Sequence, residues 1–238
     1  MITAIVLAGG RGTRLAAVSG GRPKPSIDVA GRPFIEHVLE HAVATGAERL
    51  VLAVSYQWQV LRELLGERFA GRPILWSIEP RPLGTGGAVH HAMSQFGLES
   101  AVVINGDTLF RVDLGAMYRQ HRAMHSMLTM VVRPVADASR FGAVEVDERG
   151  VVVSFREKTT VGPGLINGGV YFIEPAVFAG RAAGGGFSLE VDVLQAQLER
   201  IRPKVIVSDE FFIDIGVPED LARARRMLAK PPPVPRSY

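Results

Sequence analysis

Near the N-terminus, Leu7-Ala8-Gly9-Gly10-Arg11-Gly12-Thr13-Arg14-Leu15 runs an apolar stretch into closely spaced glycines, followed by a threonine and an arginine. Glycines let the backbone pass close to a ligand and turn successive N–H groups inward, which makes a concavity suited to anions. Arg14 adds a planar fork of donors matched to phosphate oxygens. Further on, Arg22-Pro23-Lys24-Pro25 holds a lysine between two prolines, stiffening the backbone around that cation. The chemistry this equipment suits is the handling of phosphates. Two common phosphate loops do not fit. A P-loop requires Gly-Lys-Ser/Thr, and no lysine occurs in this segment. The dinucleotide fingerprint requires a glycine three residues after its second, and counting from Gly10 and Gly12 that place holds Leu15. A nicotinamide oxidoreductase is therefore a poor match.

Five further strings follow in order: Gly84-Thr85-Gly86-Gly87-Ala88, Asn105-Gly106-Asp107, Glu157-Lys158, Asn167-Gly168-Gly169-Val170-Tyr171, and Phe212-Ile213-Asp214-Ile215-Gly216-Val217-Pro218. Together with the opening Leu-Ala-Gly-Gly-x-Gly-Thr-Arg-Leu string and Lys24, this series resembles the sugar-1-phosphate nucleotidyltransferases. The resemblance runs from residue 2 to about residue 225. It implies an α/β fold, a Rossmann-like, mixed and mostly parallel sheet flanked by helices. It also implies transfer of a nucleotidyl group to a sugar 1-phosphate, with release of pyrophosphate and help from Mg²⁺.

Roles carried over by the resemblance are specific. Nucleotide contacts fall on Leu7, Ala8, Gly9, Gly10, Gly12 and Thr13, on Gly84, Thr85 and Gly86, and on Asn105 and Gly106. Arg14 would hold the departing pyrophosphate, Lys24 would neutralise charge near the α-phosphate, and Lys158 would grip the phosphate of the sugar. Asp107 and Asp214 would hold the metal. Each ends an expected strand, and ligands in open α/β sheets gather beyond the carboxyl ends of strands. Mg²⁺ takes few protein carboxylates and fills its other positions with phosphate oxygens and water. Glu157, Asn167, Gly168 and Gly169 would meet the sugar, with Glu190 beside them. The plainer readings stand next to these. Asp107 could cap a helix, Asp214 could be a turn residue and Lys158 a solvated surface charge. Glu190 and Asp192 could reach the sugar, or with Ser188 simply start a helix. Glu79 could lie near the base or merely end a strand.

Within the family, Glu-Pro-x-Pro-Leu-Gly-Thr-Gly-Gly-Ala, Phe-Ser-Leu-Glu and Phe-Ile-Asp-Ile-Gly-Val-Pro-Glu-Asp look most like the branch that transfers GMP from GTP to heptose 1-phosphates for bacterial surface polysaccharides such as capsule. Guanylyl transfer to mannose 1-phosphate is the competing reading, and a uridylyl- or thymidylyltransferase stays open. So does a reading from another class, a non-catalytic subunit that senses nucleotide sugars. Retention of Arg14, Lys24, Asp107, Lys158 and Asp214 argues against that last one.

The elements that must position these residues are legible as alternation. Ile2 to Leu7 reads as a buried strand; Phe34, Ile35, Val38, Leu39 and Ala42 recur at helical spacing, with Gly46 as the stop. Arg49–Val54, Ile74–Ile78 and Ala101–Ile104 read as strands, with helices over Gln57–Phe69 and Gly87–Gln95. Such alternation argues for a parallel sheet with helices on both faces. The later part is more mixed. Strands are expected at Met127–Arg133 and Ala143–Val146, with Val151–Phe155 as a hairpin partner after Asp147-Glu148-Arg149-Gly150. Further strands fall at Gly169–Ile173, Val205–Val207 and Phe211–Ile213. Leu189–Ile201 reads as a helix, and a last helix follows Pro218. The tail after residue 230, rich in proline, is expected to be extended or disordered beyond one nucleotidyltransferase domain.

Composition narrows the class further. The chain has 238 residues, 47% of them hydrophobic and 21% charged, which is ordinary for a globular protein. A net charge of +3 with no Lys/Arg block gives no sign of a nucleic-acid or membrane surface. The expected partners are a nucleoside triphosphate and a sugar 1-phosphate, with a homo-oligomer left open. Zero cysteines exclude disulfides and thiolate chemistry. The short apolar run Ala4–Leu7 lacks a basic region before it and is too short for a signal or a membrane helix, so a soluble, cytoplasmic protein is expected. His37 and His41, at i and i+4, could share a ligand, but a plain helix face is the better reading.

Overall fold

The computed structural model describes residues 1–10, 15, 20–156 and 161–229. The expectations for Gly12, Thr13, Arg14, Glu157, Lys158 and the proline-rich tail lie outside the described residues. In chain order, β1 (Ile2–Leu7) precedes a single 3-10 turn at Lys24–Ser26, the ribbon β2 (Asp28–Val29) and β3 (Arg32–Pro33), and α1 (Phe34–Ala44). Next come β4 (Ala47–Val54), α2 (Trp58–Leu65), β5 (Arg68–Phe69), β6 (Arg72–Ile78), α3 (Gly84–Gln95), β7 (Ala101–Asn105) and β8 (Thr108–Phe110). The second half holds α4 (Leu114–Ala123), β9 (Leu128–Val135), β10 (Ala143–Val146), β11 (Val152–Arg156) and β12 (Gly164–Ile173). A π-helical segment at Leu189–Gln195 leads into α5 (Leu198–Ile201), β13 (Lys204–Val207), β14 (Phe212–Asp214) and α6 (Pro218–Leu228).

The main sheet runs β11-β10-β12-β7-β1-β4-β6-β5, with β9 against β12 and β13 against β9. β7, β1, β4 and β6 are mutually parallel neighbours, while β12 returns antiparallel to both β7 and β9. A parallel strand covered on both faces needs a continuous apolar run rather than alternation. β1 shows why: Ala4 and Val6 pack with Phe34, Ile35 and Leu39 of α1. Ile5 faces the other way, into Val89 and Ala92 of α3. Helices on both faces therefore bury the centre of the sheet and leave its strand ends to form a rim.

Several boundaries differ from expectation for local reasons. The helix expected over Gln57–Phe69 ends at Leu65, because Gly66 adopts φ +66°. Arg68 and Phe69 then pair with β6 across Ala70-Gly71, both at positive φ, as a two-residue hairpin of the twisted kind. The stretch Leu189–Ile201 is not one helix but the π-helical segment plus a short turn ending at Arg202, φ +47°. Helix α4 was not anticipated, since Gly115 and a polar composition blur its period. It is started by Asp113, whose side chain accepts from the Ala116 amide at 2.8 Å. The turn at Asp147–Gly150 forms as expected, with Asp147 Oδ1 accepting the amides of Arg149 and Val151, each at 2.9 Å. No helix among the described residues is long and apolar enough to cross a membrane.

Candidate active site

A cavity of about 890 Å³ opens across the carboxyl ends of the four parallel strands. Leu7 ends β1 and Ala8 to Gly10 follow it, Ala53 lies at the end of β4 with Ser55 just past it, Glu79 follows β6, and Asn105 ends β7, so each strand delivers a wall residue to one rim. The close passage of backbones is what glycine permits here. Gly106 donates to Leu7 O at 2.9 Å, and a Cβ at Gly106 would stand 2.6 Å from that same oxygen.

At one end of the cavity lie Lys24, Asp107 and Asp214. Lys24 reaches them from the 3-10 turn that its flanking prolines hold. Its Nζ donates to Asp107 Oδ2 at 2.6 Å, with the lysine side chain only 12% exposed. β8 and β14 pair antiparallel and place Asp214 opposite Thr108. The Thr108 hydroxyl lies 3.3 Å from Asp107 Oδ1 and 3.1 Å from Asp214 Oδ2, bridging the two carboxylates. The Gly216 amide donates to Asp214 Oδ1. Burial pushes the Asp214 carboxyl above its ordinary range, the Asp107 charge adds to this, and the Lys24 ammonium opposes it. Two carboxylates thus converge on one lysine, and the group is one positive charge short.

The far wall carries Glu79, Gly84 and Thr85. Glu79 Oε2 accepts from the Leu83 amide at 2.7 Å. Its Oε1 lies so close over Gly9 that a Cβ there would come within 2.7 Å. Burial raises the carboxyl of Glu79, with the Leu83 bond holding it back. A half-buried carboxylate beside a concave apolar wall is a strong acceptor with nothing but Leu83 bonded to it among the described contacts.

Beside the aspartates, β12 carries an irregularity between Asn167 and Tyr171 where its register against β9 shifts. Gly169, at φ +70°, lies against the Asn105 side chain, and a Cβ at Gly168 would stand 2.5 Å from the Phe110 ring. Both glycines are buried, so their place in this structure is to let the bulge close rather than to form a wall. The bulge turns Asn167 outward, where Nδ2 donates to Glu190 Oε1 at 3.0 Å. The Tyr171 hydroxyl donates to the same Glu190 oxygen at 3.4 Å. Burial drives the Tyr171 hydroxyl well above its usual range, and the carboxylates of Glu190 and Asp107 push the same way. Glu190 is thus held by Asn167 and Tyr171. Asp192 instead turns back on its own chain, Oδ2 accepting the Ser188 amide at 2.7 Å.

Of the residues expected from sequence, the structure gathers Leu7, Ala8, Gly9, Gly10, Lys24, Gly84, Thr85, Asn105, Asp107 and Asp214 on one cavity. Gly106 ties β1 to β7 beneath it. Gly86 lies off the wall, buried against Phe187, and its amide donates to Phe187 O at 3.0 Å. The start of α3 thus spends two of its amides, Gly86 and Gly87, on a protein carbonyl rather than on a ligand. Thr108, Ser55 and Arg81 were missed; Ser55 follows directly on the expected strand end at Val54, which is the signal that could have found it. His37 and His41 share nothing: their Nε2 atoms meet Val29 O and Val112 O, each at 2.9 Å.

This cavity, with a cation and paired carboxylates at one end of the strand rim, belongs to a protein that binds a phosphorylated ligand over an open α/β sheet. The chain is a member of the nucleotidyl transferase family, whose model matches residues 3–230. Among its relatives, D-glycero-alpha-D-manno-heptose 1-phosphate guanylyltransferase of Campylobacter jejuni is 39% identical over 91% of this chain and 96% of its own length. Mannose-1-phosphate guanylyltransferase of Mycobacterium tuberculosis is 35% identical over 96% of this chain and 65% of its own length. The crystal structure of HddC from Yersinia pseudotuberculosis complexed with GMP-PN superposes with a TM-score of 0.84 at 32% identity, covering 96% of this chain and all of that one.

Proposed function

We propose that this protein transfers GMP from GTP to D-glycero-α-D-manno-heptose 1-phosphate, giving GDP-heptose and pyrophosphate in the cytoplasm for bacterial surface polysaccharide such as capsule. The observation that carries the reaction class is the meeting of Lys24, Asp107 and Asp214 at one end of the strand-end cavity. The names of the relatives support the heptose and guanine choices. In the reaction, an oxygen of the sugar phosphate forms a new bond to the α-phosphorus of GTP, and the bond from that phosphorus to the β-phosphate bridging oxygen breaks. The electron pair leaves with pyrophosphate. The nucleophile is already ionised near neutral pH, so no general base is needed, and the protein's task is orientation and charge neutralisation.

Lys24 is set to hold negative charge on the α-phosphate. Asp107 and Asp214 fit Mg²⁺: two carboxylates, one raised by burial and by the other's charge, face a single ammonium. There the ion would neutralise the phosphate oxygens. Arg14 and Lys158 are assigned to the pyrophosphate and the sugar phosphate, and Glu190 with Asn167 to hydroxyls of the sugar. Glu157 joins them on the sugar side. Glu79 supplies the base preference: guanine presents N1–H and N2–H₂ side by side, two donors that a carboxylate accepts and a neutral amide does not.

Pyrophosphate release, measured with Mg²⁺ while crossing GTP, UTP, dTTP, CTP and ATP with heptose, mannose and glucose 1-phosphates, tests this reading. The expected result is fastest turnover with GTP and heptose 1-phosphate, abolished in Asp107→Ala. Faster turnover with mannose 1-phosphate would move the substrate. Silence with every pair, from folded protein that still binds a nucleotide sugar, would overturn catalysis in favour of a sensing subunit.

A further inference from the structure

The segment Gly184–Leu189 is laid along the start of α3 like a strap, and nothing in the reaction itself accounts for it. The Phe187 amide donates to Leu83 O at 2.8 Å, and Phe187 O accepts from Gly86 and Gly87 at 3.0 and 3.1 Å. The Leu189 amide donates to Thr85 Oγ1 at 2.9 Å, and Arg81 Nη2 donates to Gly184 O at 3.1 Å. The seat is made of glycines. A Cβ on Gly84 would stand 2.6 Å from Phe187 O, one on Gly86 2.5 Å from the Phe187 ring, and one on Gly87 2.4 Å from Gly185 O. The Phe187 ring also packs against the Arg181 guanidinium, 4.4 Å from its centroid, and Phe178 at 6.0 Å.

The two ends of this strap belong to different halves of the site. Gly84 and Thr85, which it clasps, are walls of the nucleotide cavity. At its other end, Ser188 caps the π-helical segment that begins at Leu189, its Oγ accepting the Val191 amide at 3.2 Å. Glu190, in the first turn, meets Asn167 and Tyr171 on the sugar side. Leu189, whose amide is bonded to Thr85, immediately precedes Glu190, so a shift at Thr85 is passed directly to the residue that carries the carboxylate. π-Helical turns recur where a side chain is re-aimed at a functional site.

We propose that the strap is a coupling element: Phe187, lodged on Gly86, is a positioning residue through which the nucleotide wall sets Glu190 for the hydroxyls of the sugar. Occupation of the wall at Gly84 and Thr85 by a nucleoside triphosphate steadies the strap, and the sugar subsite is completed after it. The role of Glu190 on the sugar side rests on the function proposed above; the coupling of wall to strap does not.

Two measurements test it. In hydrogen exchange on the full chain, GTP with Mg²⁺ and no sugar slows exchange of the amides at Phe187 and Leu189, and this protection is lost in Phe187→Ala and retained in Phe187→Leu. In steady-state assays, Phe187→Ala raises KM for the sugar 1-phosphate about tenfold while kcat and the KM for GTP change less than about threefold, because misplacing a distant group spoils orientation rather than the phosphate machinery. Gly86→Ala does the same, by pushing the ring out. The double variant is no worse than the worse single, since the new Cβ takes the space of the missing ring. A GTP effect on strap exchange equal in wild type and Phe187→Ala, or a double variant whose losses multiply, would overturn the coupling. A wild type that turns over no substrate pair yet shows the strap protection would refute the proposed reaction and leave the coupling standing.

Discussion

Glu79→Gln is the perturbation that bears most directly on which base the cavity takes. In the wild type, Oε2 is committed to the Leu83 amide and Oε1 stands over Gly9 at the cavity wall. A glutamine keeps the size and can keep the bond to Leu83, but it must then turn its NH₂ toward the position of Oε1. Facing guanine, that puts a donor against the N1–H and N2–H₂ donors. The variant loses a charge-assisted hydrogen bond and gains an unpaired donor, about 3 kcal/mol together, or about a hundredfold in kcat/KM for GTP. Facing uracil or thymine, the same amide meets an acceptor, so UTP and dTTP should improve. The assay is pyrophosphate release with one sugar 1-phosphate and each triphosphate in turn. The pH profile supplies a second reading of the same group. Burial raises the Glu79 carboxyl, and only the ionised form accepts from both guanine donors, so GTP use should fall as pH drops through that raised value. In Glu79→Gln this limb of the profile disappears. A variant that keeps its preference for GTP within about threefold would refute the assignment of Glu79 to the base.

Three other perturbations draw on the same contacts. Lys24→Met removes the cation 2.6 Å from Asp107 and leaves two carboxylates facing each other; urea unfolding in EDTA should show a loss of about 2 kcal/mol, with added Mg²⁺ restoring part of it and turnover staying absent. His121 is 1% exposed and its imidazole is held down at about 4 from 6.5, burial being the main cause. The unfolded chain therefore binds a proton that the folded one refuses. The corresponding stability is complete above the unfolded value of 6.5 and is lost as pH falls toward 4, about 3 kcal/mol over that window, and unfolding of His121→Phe should lack that slope. Gly106→Ala drives a Cβ to 2.6 Å from Leu7 O, between two backbones that are themselves bonded, and a loss of about 3 kcal/mol should appear in thermal or urea unfolding.

How much of this was legible in the sequence differs between the two halves of the site. Much of the nucleotide half is built from consecutive residues at strand ends, so Leu7 to Gly10 and Asn105 to Asp107 could be read in place: a parallel strand announces itself by an unbroken apolar run, and the residues just past its carboxyl end form the rim. Gly84-Thr85, at the start of α3, was legible only through the family resemblance. Lys24 was legible as a cation between prolines, but its partner was not, because Asp107 is distant in sequence and only the fold joins them. Thr108 escaped for the same reason. Its bridging hydroxyl has meaning only once β8 and β14 pair and put Asp214 opposite it.

The sugar half is harder to read because its glycines do a different job from the one their motif suggests. Gly168 and Gly169 read as the entry to a strand that meets the sugar, and in the fold Phe110 and Asn105 take the space a side chain would need. Gly86 is the same case, approached by the protein's own Phe187 instead of by a nucleotide. A glycine records that something comes close and says nothing about what. The neighbour that does come close is set by long-range packing, and here it is a strap about a hundred residues away in the chain, as the Leu189 to Thr85 bond, with a sequence separation of 104, makes plain. A strap held by backbone groups leaves almost no trace in side-chain types: Gly184-Gly185-Gly186 looks like slack, and only Phe187, an aromatic following three glycines, hints that this stretch has a fixed seat.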